Sequence, residues 1–429
     1  MTDRANIYEL VQVAPEVTNG VAVAATKKLT AMLIGPAIKA ETLKFRGSGY
    51  KFPSIVVPNK EWVTAKLSGV ATYNEMVYPL ASLINYAAPA QQGSTAAYKW
   101  TFAPDSDGPD TNKTFTVEQG SGVRAHRFSN GLVTGMGLSF SRNGIEIDGE
   151  MIGNALVDNV QMSTNEVQTL DTTGTPGSGA FKLTFSGQQT ADIDYDATAS
   201  EVQSALEALS NIAVGDVLCA GGPFPGTPIT VEFRGQYRQT NVALMTVTDT
   251  FDDGDVTVTE TTPGAAPTAL DLVPVLPTQI DVFLASAQAN LDAASALSRV
   301  LSVNWSLMNR YGPIFPLKSA FGTGFATTLE TEPTLECKLK MEADAEGMAL
   351  LPTLRAGDST FLRILASGEN IEGAYDHMLQ IDTALKVSDV SEFSDEDGIF
   401  SVEWTLTGVH DPTWGKATQI DIINALSAL

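Results

Sequence analysis

The 429-residue chain holds only two cysteines, Cys219 and Cys337, and three histidines, His126, His377 and His410. Two cysteines so far apart exclude a disulfide framework and read as buried thiols, and the histidines show no metal-ligand spacing. No apolar run approaches the ~18–20 residues of a membrane span. The opening MTDRANIYELVQV carries Asp3 and Glu9 and no basic stretch ahead of an apolar core. No signal peptide is therefore expected, synthesis in a cytoplasm is, and the sequons at Asn112 and Asn304 carry no weight. Bases are scarce too: 26 Lys and Arg against 50 Asp and Glu leave a net charge of −24. Such a surface repels nucleic acid as a partner to grip. It serves solubility alone, or it forms a wall past which nucleic acid slides.

Catalytic signatures are missing as well. There is no P-loop, HExxH, CxxC or GxSxG motif. The segments 105–110 (DSDGPD) and 249–255 read as acidic turns, because neither completes a calcium-binding EF-hand loop. Glu146, Asp148 and Glu150 sit two apart and share one face of one strand, whereas hydrolytic carboxylate pairs usually come from separate elements. No catalytic residue, metal or cofactor is expected.

What is present is β-forming. The hydrophobic share is 43%, with 36 glycines and 21 prolines, a mixture that suits strands with many turns. Residues 1–24 read as an irregular arm. Strands are expected at 28–34 and 38–45 around Gly35-Pro36, then at 62–71, 98–102 and 114–118. A helix is expected at 74–86, and a hairpin at 132–141 and 144–152 around Arg142-Asn143-Gly144.

Near residue 170 the texture changes. Gly/Thr/Pro/Ser stretches at 172–179 and 261–267 read as linkers around a compact α+β unit. Its helix, at 198–209, opens with the capping-box pattern Thr198-x-x-Glu201. Residues 170–264 carry thirteen acids and three bases, so this unit is expected to project into solvent. After it the first pattern returns. An offset of 272 residues pairs Leu29 with Leu301, Lys66 with Lys338, Leu67 with Leu339 and Met76 with Met348. The segment 144–153 likewise resembles 398–408. The order of elements matches, which indicates an internal duplication. The expected organisation is a first domain at 1–169, an inserted α+β domain at 170–264 and a second domain at 265–429. The fold class is mainly β: a duplicated β-sandwich or barrel with a flanking helix, plus the insert.

Two turn-rich loops, 44–53 and 316–325, combine aromatics, glycines and a base: Phe45, Arg46, Tyr50 and Phe52 in the first, Lys318, Phe321 and Phe325 in the second. Exposed aromatics are costly unless a partner covers them. These residues either meet a neighbouring subunit or pack on their own.

This whole-chain pattern resembles the tail tube proteins of long-tailed bacteriophages, over about 1–165 and 270–429. The features that carry it are the arm, the long early loop, the helix after a long strand, the closing hairpin, and DEDGIFSVEWTLTGVHD (395–411) ahead of a short C-terminal element. The insert is similar to a module that recurs in phage structural proteins. The resemblance implies a non-enzymatic virion protein of the phage tail, with six tube folds per ring and rings stacked around a β-barrel channel for genome ejection. With two folds per chain it implies a homotrimer forming a pseudo-hexameric ring. Its partners would be the terminator, the tape measure and the distal tail protein, with DNA passing through unbound. Phe45, Arg46, Tyr50, Phe52, Lys318 and Phe321 would stack one ring on the next. Glu146, Asp148 and Glu150 would face the channel or, equally compatible with their periodicity, an outer wall. The competing readings are another tail component, such as a terminator or distal ring, and a bacterial surface or carbohydrate-binding β-protein.

Overall fold

The computed structural model describes residues 9–121, 124–160, 162, 165–264, 266–317 and 322–429. The protein is mainly β, 51% strand and 8% helix. It forms two compact units. The larger takes in the described residues up to Val23, Lys27–Val160 and Ala269–Leu429; the smaller takes in Ala24–Thr26 and the described part of 161–268.

The larger unit is built twice from one plan. The first half contains β1 (Leu10–Pro15), β2 (Met32–Phe45), β3 (Ile55–Val70), α1 (Val77–Leu83), β4 (Phe115–Gly120), β5 (Ala125–Ser141), β6 (Gly144–Gly153) and β7 (Val157–Val160). The second contains β8 (Ile280–Ala285), β9 (Val300–Met308), β10 (Thr334–Glu342), α2 (Leu351–Ala356), β11 (Ser359–Glu372), β12 (Tyr375–Val390), β13 (Ser394–Glu396), β14 (Ile399–Gly408) and β15 (Thr418–Asn424). In the first half β4 lies between β1 and β5, β5 pairs with β7 and β6, β6 with β3, and β3 with β2, all antiparallel. In the second, β11 lies between β8 and β12, β12 pairs with β15 and β14, β14 with β10, and β10 with β9, again antiparallel.

The register repeats with the topology. Lys66 faces Glu150 and Lys338 faces Thr405, offsets of 272 on one strand and 255 on the other. The same two offsets carry all seven pairs of the β10–β14 ladder, Glu336↔Thr407 to Glu342↔Ser401, onto Thr64↔Ile152 to Val70↔Glu146. They also carry the bond Ala71 N–H to Ile145 O, 2.9 Å, onto Ala343 N–H to Phe400 O, 2.8 Å. A one-residue slip would turn every side chain to the opposite face, so a shared register keeps the same alternation. Val63, Ala65 and Leu67 point inward from β3, as Leu335, Cys337 and Leu339 do from β10.

The halves join edge to edge. β9 lies antiparallel to the second edge of β5, from Ser302↔Ser141 to Leu307↔Met136. Ser139 Oγ donates to Asn304 Oδ1 at 2.7 Å across this seam. Residues Tyr98–Phe102 pair with β15, and Trp100 Nε1 donates to Asn424 Oδ1 at 2.9 Å. One apolar core runs through both halves and includes the fully buried Trp100, Trp305 and Trp404. Among the described residues the strand pairings never return to their starting point, so one chain closes no barrel; the barrel expectation fails for the single chain because β2 has a partner on one side only.

Several expectations shift. The arm contains β1, whose Val11 and Val13 are buried; its partner β4 lies about a hundred residues away, beyond the reach of a local pattern. The break expected at Gly35-Pro36 is absent, and β2 runs straight through it. Proline lacks an N–H, which an edge strand tolerates. The helices are shorter than expected, with α1 covering only Val77–Leu83.

The smaller unit has two sheets. One is made of Val217–Gly221, Ile229–Phe233, Val167–Thr172 and Val256–Thr262, the other of Gln188–Gln189, Ala180–Phe185, Ile193–Asp194 and Thr246–Asp249. They enclose Phe181, Phe185, Leu206 and Phe233. The capping box is formed: Thr198 caps the helix Ala199–Glu207 through the Glu201 N–H, and Glu201 accepts from the Thr198 N–H at 2.8 Å. The segment read as a linker at 172–179 is a fixed loop, because Asp252 Oδ1 accepts from the Gly177 and Ser178 N–H groups at 2.9 and 3.1 Å.

The seam is locked by Arg310, only 3% exposed. It pairs with Asp110 and, at 2.9 Å, with Glu330, and its Nε donates to the Leu83 carbonyl at the end of α1. Asp110 closes the DSDGPD turn, so that turn supplies a buried structural carboxylate. Burial pushes its carboxyl above the ordinary range, against the Asp105 N–H and the Arg310 charge, which hold it down. Breaking a buried pair strands the remaining charge at a cost of about 3–5 kcal/mol. Arg310→Met should therefore destabilise the larger unit by about that amount in urea unfolding, with partial recovery when Asp110→Asn is added. A loss below about 1 kcal/mol would contradict the lock.

Candidate assembly surfaces

Strand geometry alone extends β2 and β3 past the rest of their sheet. β6 last pairs with β3 at Val63↔Gly153, whereas β2 and β3 stay paired out to Phe45↔Ile55. Those eight further residues project roughly 26 Å at ~3.3 Å per residue. Every residue from Ala37 to Pro58 is exposed, although the hairpin is regular. The outer part carries Phe45 at 53% exposure, Tyr50 at 66% and Phe52 at 71%, with Leu43, Ile55 and Val56 beside them. Arg46 is exposed among them, and Lys51 Nζ lies 5.7 Å from the Phe52 ring. A monomer rarely leaves such a contiguous apolar patch uncovered.

The counterpart loop of the second half behaves differently. Lys318 and Phe321 lie outside the described residues. Phe325 is buried, contrary to its expected exposure: it packs edge-on against Phe315, which packs on Trp62 at 5.4 Å. The Glu61 N–H donates to Thr323 O at 2.8 Å. This loop folds back onto its own chain, and the first one does not.

Glu146, Asp148 and Glu150 are exposed on one face of β6, while Ile145, Ile147 and Met151 are buried on the other. The acids therefore line the solvent face of the sheet, but not alone. Lys66 sits opposite Glu150, and Gly135, Gly137 and Ser139 continue the face across β5. A Cβ on Gly137 would meet the Asp148 carboxylate at 2.8 Å, so glycine there makes room for the acid. A groove of about 1040 Å³ runs along this face between Lys66, Glu150 and Tyr311. In the second half Thr405 takes the place of Glu150, so the face is mixed in charge.

Two strand edges are open. β2 pairs with β3 alone. β5 carries β6 on one edge and β9 on the other, but its counterpart from Val387 through β13 pairs with β14 alone. The flanking helices show the same contrast, since all seven residues of α1 are buried and none of α2 is.

The cysteines are unpaired; burial pushes the Cys337 thiol up to about 12. Among the described residues no three His, Cys, Asp or Glu side chains gather as a metal site, and no helix is long and apolar enough to cross a membrane.

No family model matches the chain. Over 70 residues, 16% of its length, it is 43% identical to the tail sheath protein of Mycobacterium phage Bxz1, and the match spans 12% of that protein. A solved structure from Mycobacterium phage Patience is 15% identical with a TM-score of 0.18, over 52% of this chain and 79% of that one.

The hairpin tip buries nothing within the chain, so Phe45→Ser with Phe52→Ser should change unfolding stability by no more than about 0.5 kcal/mol. A large loss in thermal or urea unfolding would show that these rings pack on their own subunit.

Proposed function

We propose that this chain is a structural protein of a phage tail, the subunit of the tail tube, in which three chains close a ring of six repeats and rings stack around the genome's path. The observation that carries the reading is the seam. Two copies of one plan already join through β5 and β9, leaving β2 open at one end of the row and β12–β13 open at the other. An interface of this head-to-tail kind propagates until it closes, and open edges are otherwise an aggregation hazard. The short match to a phage tail sheath protein supports a tail setting, and the wider role and partners of that protein are not carried over.

The solvent face with Glu146, Asp148 and Glu150 would then line the channel. There the acids repel phosphate within a Debye length of ~8–10 Å, while glycine, serine and asparagine neighbours keep the wall smooth. Nothing in this role requires a catalyst.

Electron microscopy of the purified chain, with a Glu146→Lys, Asp148→Lys, Glu150→Lys variant beside it, tests the reading. The expected result is long open-ended tubes with a central channel, and variant tubes that retain added DNA at low salt and release it at high salt. Single rings that never lengthen would indicate a terminator or distal ring. Cylinders formed only around a separate tube would indicate a sheath. Variant tubes that ignore DNA would place the acids on an outer wall.

A further inference from the structure

The ladders fix which features share an end of the sheet. Val70 faces Glu146 and Glu342 faces Ser401, while Ser302 faces Ser141. Both closing turns, Arg142-Asn143 and Asp397-Gly398, therefore lie at one end. The β2–β3 tip projects from the other. Within each chain the two ends differ sharply in character.

At the tip, residues 37–58 carry Lys39, Lys44, Arg46 and Lys51 against the single acid Glu41, beside exposed Phe45, Tyr50 and Phe52. On a chain of net charge −24 this is an exception that needs a purpose. At the opposite end, residues 388–400 carry Asp389, Glu392, Asp395, Glu396 and Asp397 and no base. Phe393, Ile399 and Phe400 are exposed there at 60, 42 and 74%. The equivalent turn of the first half is neither acidic nor greasy: Ile145, which holds the place of Phe400, is 1% exposed. The second half's loop, in turn, is folded back through Phe315 and Thr323. Each chain thus offers one basic aromatic tip and one acidic aromatic turn, at opposite ends.

We propose that the tip at 44–52 of one chain docks on the turn at 392–400 of a second copy in the next ring, and that this contact sets the polarity of stacking. The proposal rests on the tube reading and names the receptor for the tip. Opposite charges steer and orient the encounter, and the facing aromatics cover one another. A ring of three chains presents three tips and three turns, so every contact is satisfied once. Tip cannot meet tip, because like charges would face each other, and the tube grows in one direction.

The test is a charge exchange read at two levels, ring mass by native mass spectrometry and tube yield by sedimentation. Glu392→Lys, Asp395→Lys and Asp397→Lys together should leave rings intact and cut tube yield on the order of tenfold. Lys44→Glu, Arg46→Glu and Lys51→Glu should do the same, and mixing the two variants should restore mixed tubes. Wild-type stacking should weaken at 1 M salt, where the Debye length is about 3 Å. Normal tubes from either variant, or no rescue on mixing, would overturn the proposal. So would loss of the ring itself in the turn variant, which would place the turn in the lateral joint. Phe52→Cys with Phe400→Cys reads the contact even where tubes do not form. Oxidation should link chains end to end through these two positions, and linkage absent from a concentrated solution would also overturn it. Absence of rings from the wild-type chain, with that linkage present, would count against the tube reading alone.

Discussion

A β-strand has two hydrogen-bonding edges, and each buried backbone group on them must find a partner. In this chain β5 uses both edges, holding β6 on one side and β9 on the other. Its counterpart uses one. The rest of the architecture depends on that difference. Because β9 occupies the second edge of β5, the two halves share one core, α1 is covered, and Arg310 is carried into a site lined by Asp110, Glu330 and the Leu83 carbonyl. Because nothing in the chain occupies the matching edge, α2 and the stretch from Ser388 to Phe400 stay exposed.

The duplication is preserved where backbone geometry demands it and abandoned where the halves have separate tasks. Ladder register recurs pair for pair, since a slip would bring polar side chains into the core. Loops and edges are free of that constraint. The first long hairpin stands clear with basic and aromatic residues, whereas the second is pinned by Phe315 on Trp62. The first closing turn is neutral and packed, the second acidic and bare. A homo-oligomer of identical single repeats would have every end alike; fusing two copies lets one chain specialise its ends.

Much of this was legible in the sequence where the signal is local. The closing hairpin at Arg142-Asn143-Gly144, the strand Tyr98–Phe102 and the Thr198–Glu201 capping box follow from turn chemistry and period. The repeat offset of 272 is the true offset along β3 and β10, and the alternation in β6 does place three acids on one solvent face. What stayed hidden depends on distant partners. β1 is buried only because β4 covers it, and Phe325 is buried only because Phe315 lies on it. Arg310 and Asp110 are separated by two hundred residues, so the DSDGPD turn reads as a plain surface loop. The step from one open edge to a closed ring concerns other copies of the chain, which only the edges themselves can indicate.

The mass of the smallest closed ring tests the central claim most directly. Native mass spectrometry of the purified 45.5 kDa chain, at concentrations below tube formation, should give a closed species of three chains. A closed ring of six whole chains, holding twelve repeats, would contradict the account, as would a chain that remains a monomer at every concentration.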